Sequence, residues 1–156
     1  MALKARKVSQ SSVVLAQIML PADTNPAGNV HGGTIMKLID NAAGVVATRH
    51  TGRNVVTASI DRLDFHSPVF LGNLVMIKAA LNRAGKTSME VGVRVEAEDL
   101  RTREVTHTAS AYLTFVALDD GGRPTTVPGL IGETDEDERR FAAANERYAI
   151  RKAAKK

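Results

Sequence analysis

The chain has 156 residues, an apolar fraction of 44% and a formal charge of +4, which suits a single domain with its own core and excludes wholesale disorder. It has no cysteine, which excludes disulfides, thiolate zinc sites and a cysteine nucleophile, and no run of about 18 apolar residues, so no membrane span is expected. Aromatics make up only 4%, with no Trp, so a base-stacking surface is poorly supplied and nucleic acid is not an expected partner; a small ligand bearing phosphates would use the same excess charge.

Residues 1–11 read as a flexible polar N-terminal arm. They lead into only a short apolar run with no convincing cleavage site, so no secretory signal is expected and a cytoplasmic location is favoured. Residues 12–20 form a β-rich run that Pro21 ends. The stretch 21–29 is dense in Pro, Asp, Asn and Gly, each a turn former for its own reason. From residue 33 to about 50 the pattern is helical and apolar nearly all round, which predicts a buried helix, with Thr51-Gly52 as its stop.

Four strands are expected next, over residues 54–66, 73–82, 87–98 and 105–118. The third alternates most cleanly: Met89, Val91, Val93, Val95 and Ala97 share one face, and Glu90, Arg94 and Glu96 the other. Residues 12–119 are thus read as one domain, 120–132 as a Pro/Gly linker and 133–156 as a helical tail. Thr134 is the predicted N-cap, followed by an acidic first turn and a basic far end, and this charge run reads as a solvated helix. Strands and helices do not alternate, so the fold class is α+β, with a sheet curled around one helix and open edges that self-association could cover.

The chemistry concentrates just ahead of and inside the buried helix. Asp40 is a carboxylate on an apolar helix; it either lies on a small solvated stripe with Lys37 and Asn41 or has a catalytic task. His31, Gly32 and Gly33 open the helix, where free backbone N–H groups could hold a carbonyl and stabilise an oxyanion. Asp40 lies about 10 Å further along the same helix. That is far for it to serve a carbonyl held at the start, so the spacing suggests two helices packed antiparallel, each Asp40 facing the other chain's loop. Gly85, Lys86, Thr87 and Ser88 form a hairpin turn that could alternatively contact a phosphate or pantetheine. No Gly-x-Ser-x-Gly is present, and the histidines at 31, 50, 66 and 107 show no metal-ligand spacing, so no metal is expected. His66, before Ser67-Pro68, reads as a structural strand-end residue.

The run from Asn25 through His31-Gly32-Gly33 to Asp40 resembles the signature of hotdog acyl-CoA hydrolases, closest to the cytosolic long-chain type. The likeness continues through residues 47–50, 55–59, 64–66, 85–90 and 133–141, and covers essentially residues 12–152. It implies a curved antiparallel sheet wrapping a long central helix, with an extra C-terminal helix. It implies self-association to dimers, often trimers of dimers, and metal-free hydrolysis of fatty acyl-CoA to free CoA and a fatty acid, coenzyme A being part of the substrate rather than a cofactor. By the same likeness Asp40 is general base or nucleophile, Asn25 faces it from another domain, and the backbone around His31 to Gly33 holds the carbonyl oxygen. The animal form divides these residues between two unlike domains, whereas this chain carries both Asn25 and Asp40. The rivals are a dehydratase or other CoA thioesterase of the same fold, a non-catalytic acyl-CoA sensor and a nucleic-acid protein.

Overall fold

The computed structural model describes residues 3–155. Its main body is a five-stranded antiparallel sheet of β2 (Val13–Ile18), β3 (Asn54–Phe65), β4 (Leu74–Ala84), β5 (Ser88–Glu98) and β6 (Val105–Leu118), in the spatial order β2-β4-β5-β6-β3. Helix α1 (Gly32–Thr51) packs on its inner face. A short parallel pair, β1 (Arg6–Lys7) with β7 (Leu130–Ile131), precedes the C-terminal helix α2 (Asp135–Ala154).

The period-2 pattern explains the inner face. Val75, Ile77, Ala79 and Leu81 of β4, Met89 to Ala97 at alternate positions of β5, and Ala109 to Ala117 at alternate positions of β6 are all buried. Against them α1 sets Ile35, Ile39, Ala42, Ala43, Val46, Ala47 and His50, spaced three and four apart as a helical stripe requires. The many alanines let helix and sheet approach closely. Gly52 ends α1 in the left-handed conformation, φ 64°, and its N–H bonds the Thr48 carbonyl at 2.7 Å, as a glycine stop should. The helix is less enclosed than its composition predicts: Met36, Lys37 and Asn41 are exposed. They lie on the side away from the buried stripe, and the neighbouring edge strand β3 is itself largely open.

Three expectations need correction. Residues 6–11 are not a loose arm. Arg6 N–H bonds the Gly129 carbonyl at 3.0 Å, Ser9 bonds Glu133 through both its N–H and its hydroxyl, and Val8 and Ser11 are buried. Residues 120–132 are likewise held: Val127 N–H bonds the Lys86 carbonyl, and the Pro128 carbonyl accepts from His50 Nε2 at 2.8 Å. Gly and Pro break regular structure, but backbone polar groups still find partners when apolar anchors such as Val8 and Val127 draw the segment down. Finally, α2 is not simply a solvated helix. Thr134 does cap it, accepting from Asp137 N–H at 3.0 Å. Its Arg147 and Arg151, however, turn inward onto the outer face of the sheet and enclose Glu90, whose side chain is 1% exposed.

Candidate active site

Helix α1 runs antiparallel to β3, and this sets the geometry. At the helix start Gly32 lies against the Phe65 ring, so that a Cβ placed there would sit 3.6 Å from it. Two turns on, about 12 Å along the axis, Asp40 meets the middle of β3: its Oδ1 accepts a hydrogen bond from the Thr57 hydroxyl at 2.7 Å. The carboxylate is half-buried and its Oδ2 makes no hydrogen bond among the described residues. Thr57 therefore fixes the rotamer of Asp40 while leaving one oxygen free.

The helix start is prepared differently. His31 N–H is spent on the Asp23 carbonyl at 3.0 Å, and the His31 carbonyl accepts from Thr34 and Ile35. His31 thus closes the loop and does not offer its own N–H, contrary to its expected part in holding a carbonyl. Gly32 and Gly33 N–H have no acceptor among the described residues. Gly32 opens onto a cavity of about 370 Å³ lined by Val30, Ile35, Phe65, His66 and Val69 together with Ser67 and Pro68. This is a largely apolar groove with the free N–H of Gly32 at one end and that of Gly33 one residue further along the helix, an arrangement suited to a carbonyl that gains negative charge.

Asn25 is fixed in the loop ahead of the helix. Its Oδ1 accepts from Ala27 N–H at 3.0 Å and from Asn29 N–H at 3.1 Å, and Gly28 completes the turn at φ +86°. With its oxygen committed, the side chain has its amide nitrogen left to donate.

The candidate residues fall at two ends of the molecule. Gly32 stands by Phe65, which pairs with Ala109. Asp40 stands by Thr57, next to Val56; Val56 pairs with Val116, and Val116 with Ser88. The Gly85–Ser88 turn therefore shares the Asp40 end of the sheet. It is closed by a bond from Gly85 N–H to the Ser88 carbonyl at 2.8 Å, and Lys86 is exposed. Asp40 and Asn25 do not line the cavity beside Gly32 within one chain.

Thr57 escapes a reading of residue types because a threonine in a strand is ordinary; only the antiparallel course of α1 and β3 marks it out. His66 also belongs to the groove rather than merely ending the strand, and its ring lies 4.7 Å from that of His107. Among the described residues no group of three or more His, Cys, Asp or Glu side chains is placed to hold a metal ion, and no helix is long and apolar enough to cross a membrane.

An antiparallel sheet curled on one long helix is the hotdog architecture, as the resemblance implied. The thioesterase superfamily model matches residues 27–104, and the chain belongs to that family. Among its relatives, the cytosolic acyl coenzyme A thioester hydrolase of Rattus norvegicus is 38% identical over 94% of this chain, which spans only 39% of the rat protein. The acyl-CoA hydrolase of Staphylococcus aureus, solved in complex with butyryl coenzyme A, coenzyme A and coenzyme A disulfide, is 38% identical with a TM-score of 0.90, over 97% of this chain and 92% of that one. Variants of that hydrolase with an Asn, an Asp or a Thr replaced by Ala have also been solved; in its sequence these three positions follow one another at intervals of 15 and 17 residues. An apo-hexameric acyl-CoA thioesterase is 37% identical with a TM-score of 0.94, over 97% of both chains.

Proposed function

We propose that this acyl-CoA thioester hydrolase cleaves medium- to long-chain fatty acyl-CoA to a free fatty acid and CoA, with Asp40 acting as general base or nucleophile in a site shared by two chains. The observation that carries the reading is the pair formed by Asp40 of α1 and Thr57 of β3, with Asp40 about 12 Å along the helix from Gly32, whose N–H, like that of Gly33, is free among the described residues. The intervals between Asn25, Asp40 and Thr57, 15 and 17 residues, equal those of the three replaced positions in the S. aureus enzyme, which supports the same grouping here.

Pairing two chains across the open β3 edges with opposite directions would bring one chain's Asp40 and Thr57 to the other's Gly32 groove. The Gly85–Ser88 turn, at the Asp40 end, would then flank the partner's groove and could meet the CoA moiety. In the assembled site, Gly32 and Gly33 N–H hold the thioester carbonyl, the Asn25 amide nitrogen orients it, and the acyl chain lies among Val30, Ile35, Phe65 and Val69. Asp40 takes a proton from water as the water oxygen attacks the carbonyl carbon; or its carboxylate attacks directly, forming an acyl anhydride as the thiolate leaves, which water then hydrolyses to the fatty acid and free Asp40, releasing a proton. In either route the C–S bond breaks, the CoA thiolate leaves, and the proton released from water converts it to the free thiol. One oxyanion donor contributes about 10²–10³-fold. A dimer, and a hexamer by likeness to the hexameric relative, is part of the proposal. So is a cytoplasmic location, on the likeness to the cytosolic rat protein.

The test is release of free CoA thiol from an acyl-CoA chain-length series. Turnover with a peak at medium to long chains supports the reading. CoA binding without thiol release at any length would contradict it and leave an acyl-CoA sensor.

A further inference from the structure

Strand β3 is irregular where it passes α1. Its pairing with β6 shifts register twice, between Thr57 and Ser59 and again between Ile60 and Arg62. Ala58 and Asp61 are the extra residues, one to each β-bulge. The two shifts exchange the faces of the short segment between them. Thr57 lies opposite buried Phe115 and so faces α1, whereas Ser59, two residues on, lies opposite Thr114 on the outer side; Ile60 then lies opposite buried Leu113. In a regular strand Ser59 would share the face of Thr57. The place of the first bulge therefore decides whether the Thr57 hydroxyl reaches Asp40, because a slip of one residue turns a side chain to the other face.

In the sheet β3 is the edge strand beside β6, so one neighbouring strand has to hold both bulges. A second hold comes from α2. Asp61 Oδ1 accepts from the Ser59 hydroxyl at 3.0 Å, and its Oδ2 accepts from the Thr114 hydroxyl at 3.1 Å and pairs with Arg151 Nη1 of α2 at 3.1 Å. The same Arg151 Nη1 donates to Glu90 Oε2 at 3.4 Å, and Glu90 lies in register with Thr114. Ser59, Thr114 and Glu90 thus form one polar row across three strands, tied to the second bulge by Asp61 and to α2 by Arg151. The Asp61 and Arg151 side chains are only 19% and 23% exposed, so their pairing is held more firmly than an open surface pair would be.

We propose that Asp61 and Arg151 are positioning residues for the hydrolysis: by clamping the paired bulges of β3 from the outer face, they aim Thr57 at Asp40 on the inner face. This rests on the proposed role of Asp40, whose carboxylate Thr57 steadies. Neither Asp61 nor Arg151 lines the groove beside Gly32, so both act through Thr57, and α2 takes part in turnover through the sheet.

The test is a double-mutant cycle on thiol release from acyl-CoA, with the whole protein. Asp61→Ala and Arg151→Gln are each made alone and together with Thr57→Ala, and circular dichroism and size-exclusion chromatography check fold and assembly. Misaiming the group that steadies the base should lower kcat about ten- to a hundredfold in Asp61→Ala, with KM changed less than about twofold. Arg151→Gln, which leaves Glu90 paired with Arg147, should lower kcat about threefold or more in the same way, and it carries the test if Asp61→Ala does not fold. In the Thr57→Ala background, with no hydroxyl left to aim, either change should lower kcat further by less than about twofold. Unchanged kcat in both variants, or a fall of the same size with and without Thr57, would overturn the proposal. A Thr57→Ala protein as fast as wild type would instead contradict the underlying reading of the Asp40–Thr57 pair, and the proposal with it.

Discussion

On its inner face the sheet meets α1 through side chains that are almost all apolar, whereas on its outer face it meets α2 through arginines closed over one buried glutamate. Inside, Ile35, Ile39, Val46 and the alanines of α1 fill the sheet's concavity with no polar group to satisfy except His50. Outside, Glu90 accepts from Arg147 at 2.6 Å and from Arg151 at 3.4 Å, and Arg151 also reaches Asp61 at 3.1 Å. Arg147 lies 3.6 Å over the Tyr112 ring. The first contact is insensitive to salt and fixes α1, and with it Asp40, to within the tolerance of close packing. The second is ionic and rests on a few partners, so it can respond to charge.

The largest expected effect lies on the inner side. Asp40→Asn should lower turnover by about 10²–10⁴-fold, the usual worth of general-base assistance, while the circular dichroism spectrum stays unchanged. A loss below threefold would detach the chemistry from α1. Next, Ile39→Ala should cost about 2–5 kcal/mol in denaturant unfolding, because a fully buried side chain leaves a cavity between helix and sheet. Glu90→Gln should cost less, about 1–3 kcal/mol, since Arg147 and Arg151 are partly open to water and can be solvated when the carboxylate goes. Added salt should lower the melting temperature of wild type more than that of Glu90→Gln; equal sensitivity would mean that the outer contact is not ionic.

The smallest effect is one of pH. Burial holds the His50 pKa below its ordinary value, outweighing the bond to the Pro128 carbonyl, with Arg6 adding to the depression. Nδ1 has no partner among the described residues, so the folded state disfavours the charged imidazolium. The unfolded chain takes up a proton first, near pH 6.5. The contribution of His50 is therefore complete above that pH and declines as pH falls below it. Melting curves between neutral and mildly acidic pH should show a steeper fall for wild type than for His50→Gln.

The two faces also differ in how far they can be read from residues. The inner face was legible, because period-2 alternation in β5 and β6 and the three-four spacing in α1 are direct marks of burial. Alternation placed Glu90 correctly on the opposite face but gave no sign that α2 would bury it, since a charged strand face and a charged helix both look solvated until they meet. Residues 6–11 and 120–132 misled for a related reason: their polar, Gly- and Pro-containing composition hides the long-range bonds to Glu133, Lys86 and His50. In the site, Asp40, Gly32 and Gly33 stood out as a carboxylate and glycines on an apolar helix. Thr57 and His66 did not, because their significance depends on which strand lies beside α1.

The most direct test of a site shared between chains is subunit complementation. Asp40→Asn and Asn25→Ala proteins, each inactive alone, are dissociated, mixed in equal amounts and reassembled, and thiol release is measured. A two-fold arrangement in which Asn25 of one chain works with Asp40 of the other predicts recovery to about a quarter of wild-type activity, from the one intact site in each mixed dimer. No recovery, with mixed dimers verified by mass spectrometry, would show that each chain builds its site alone.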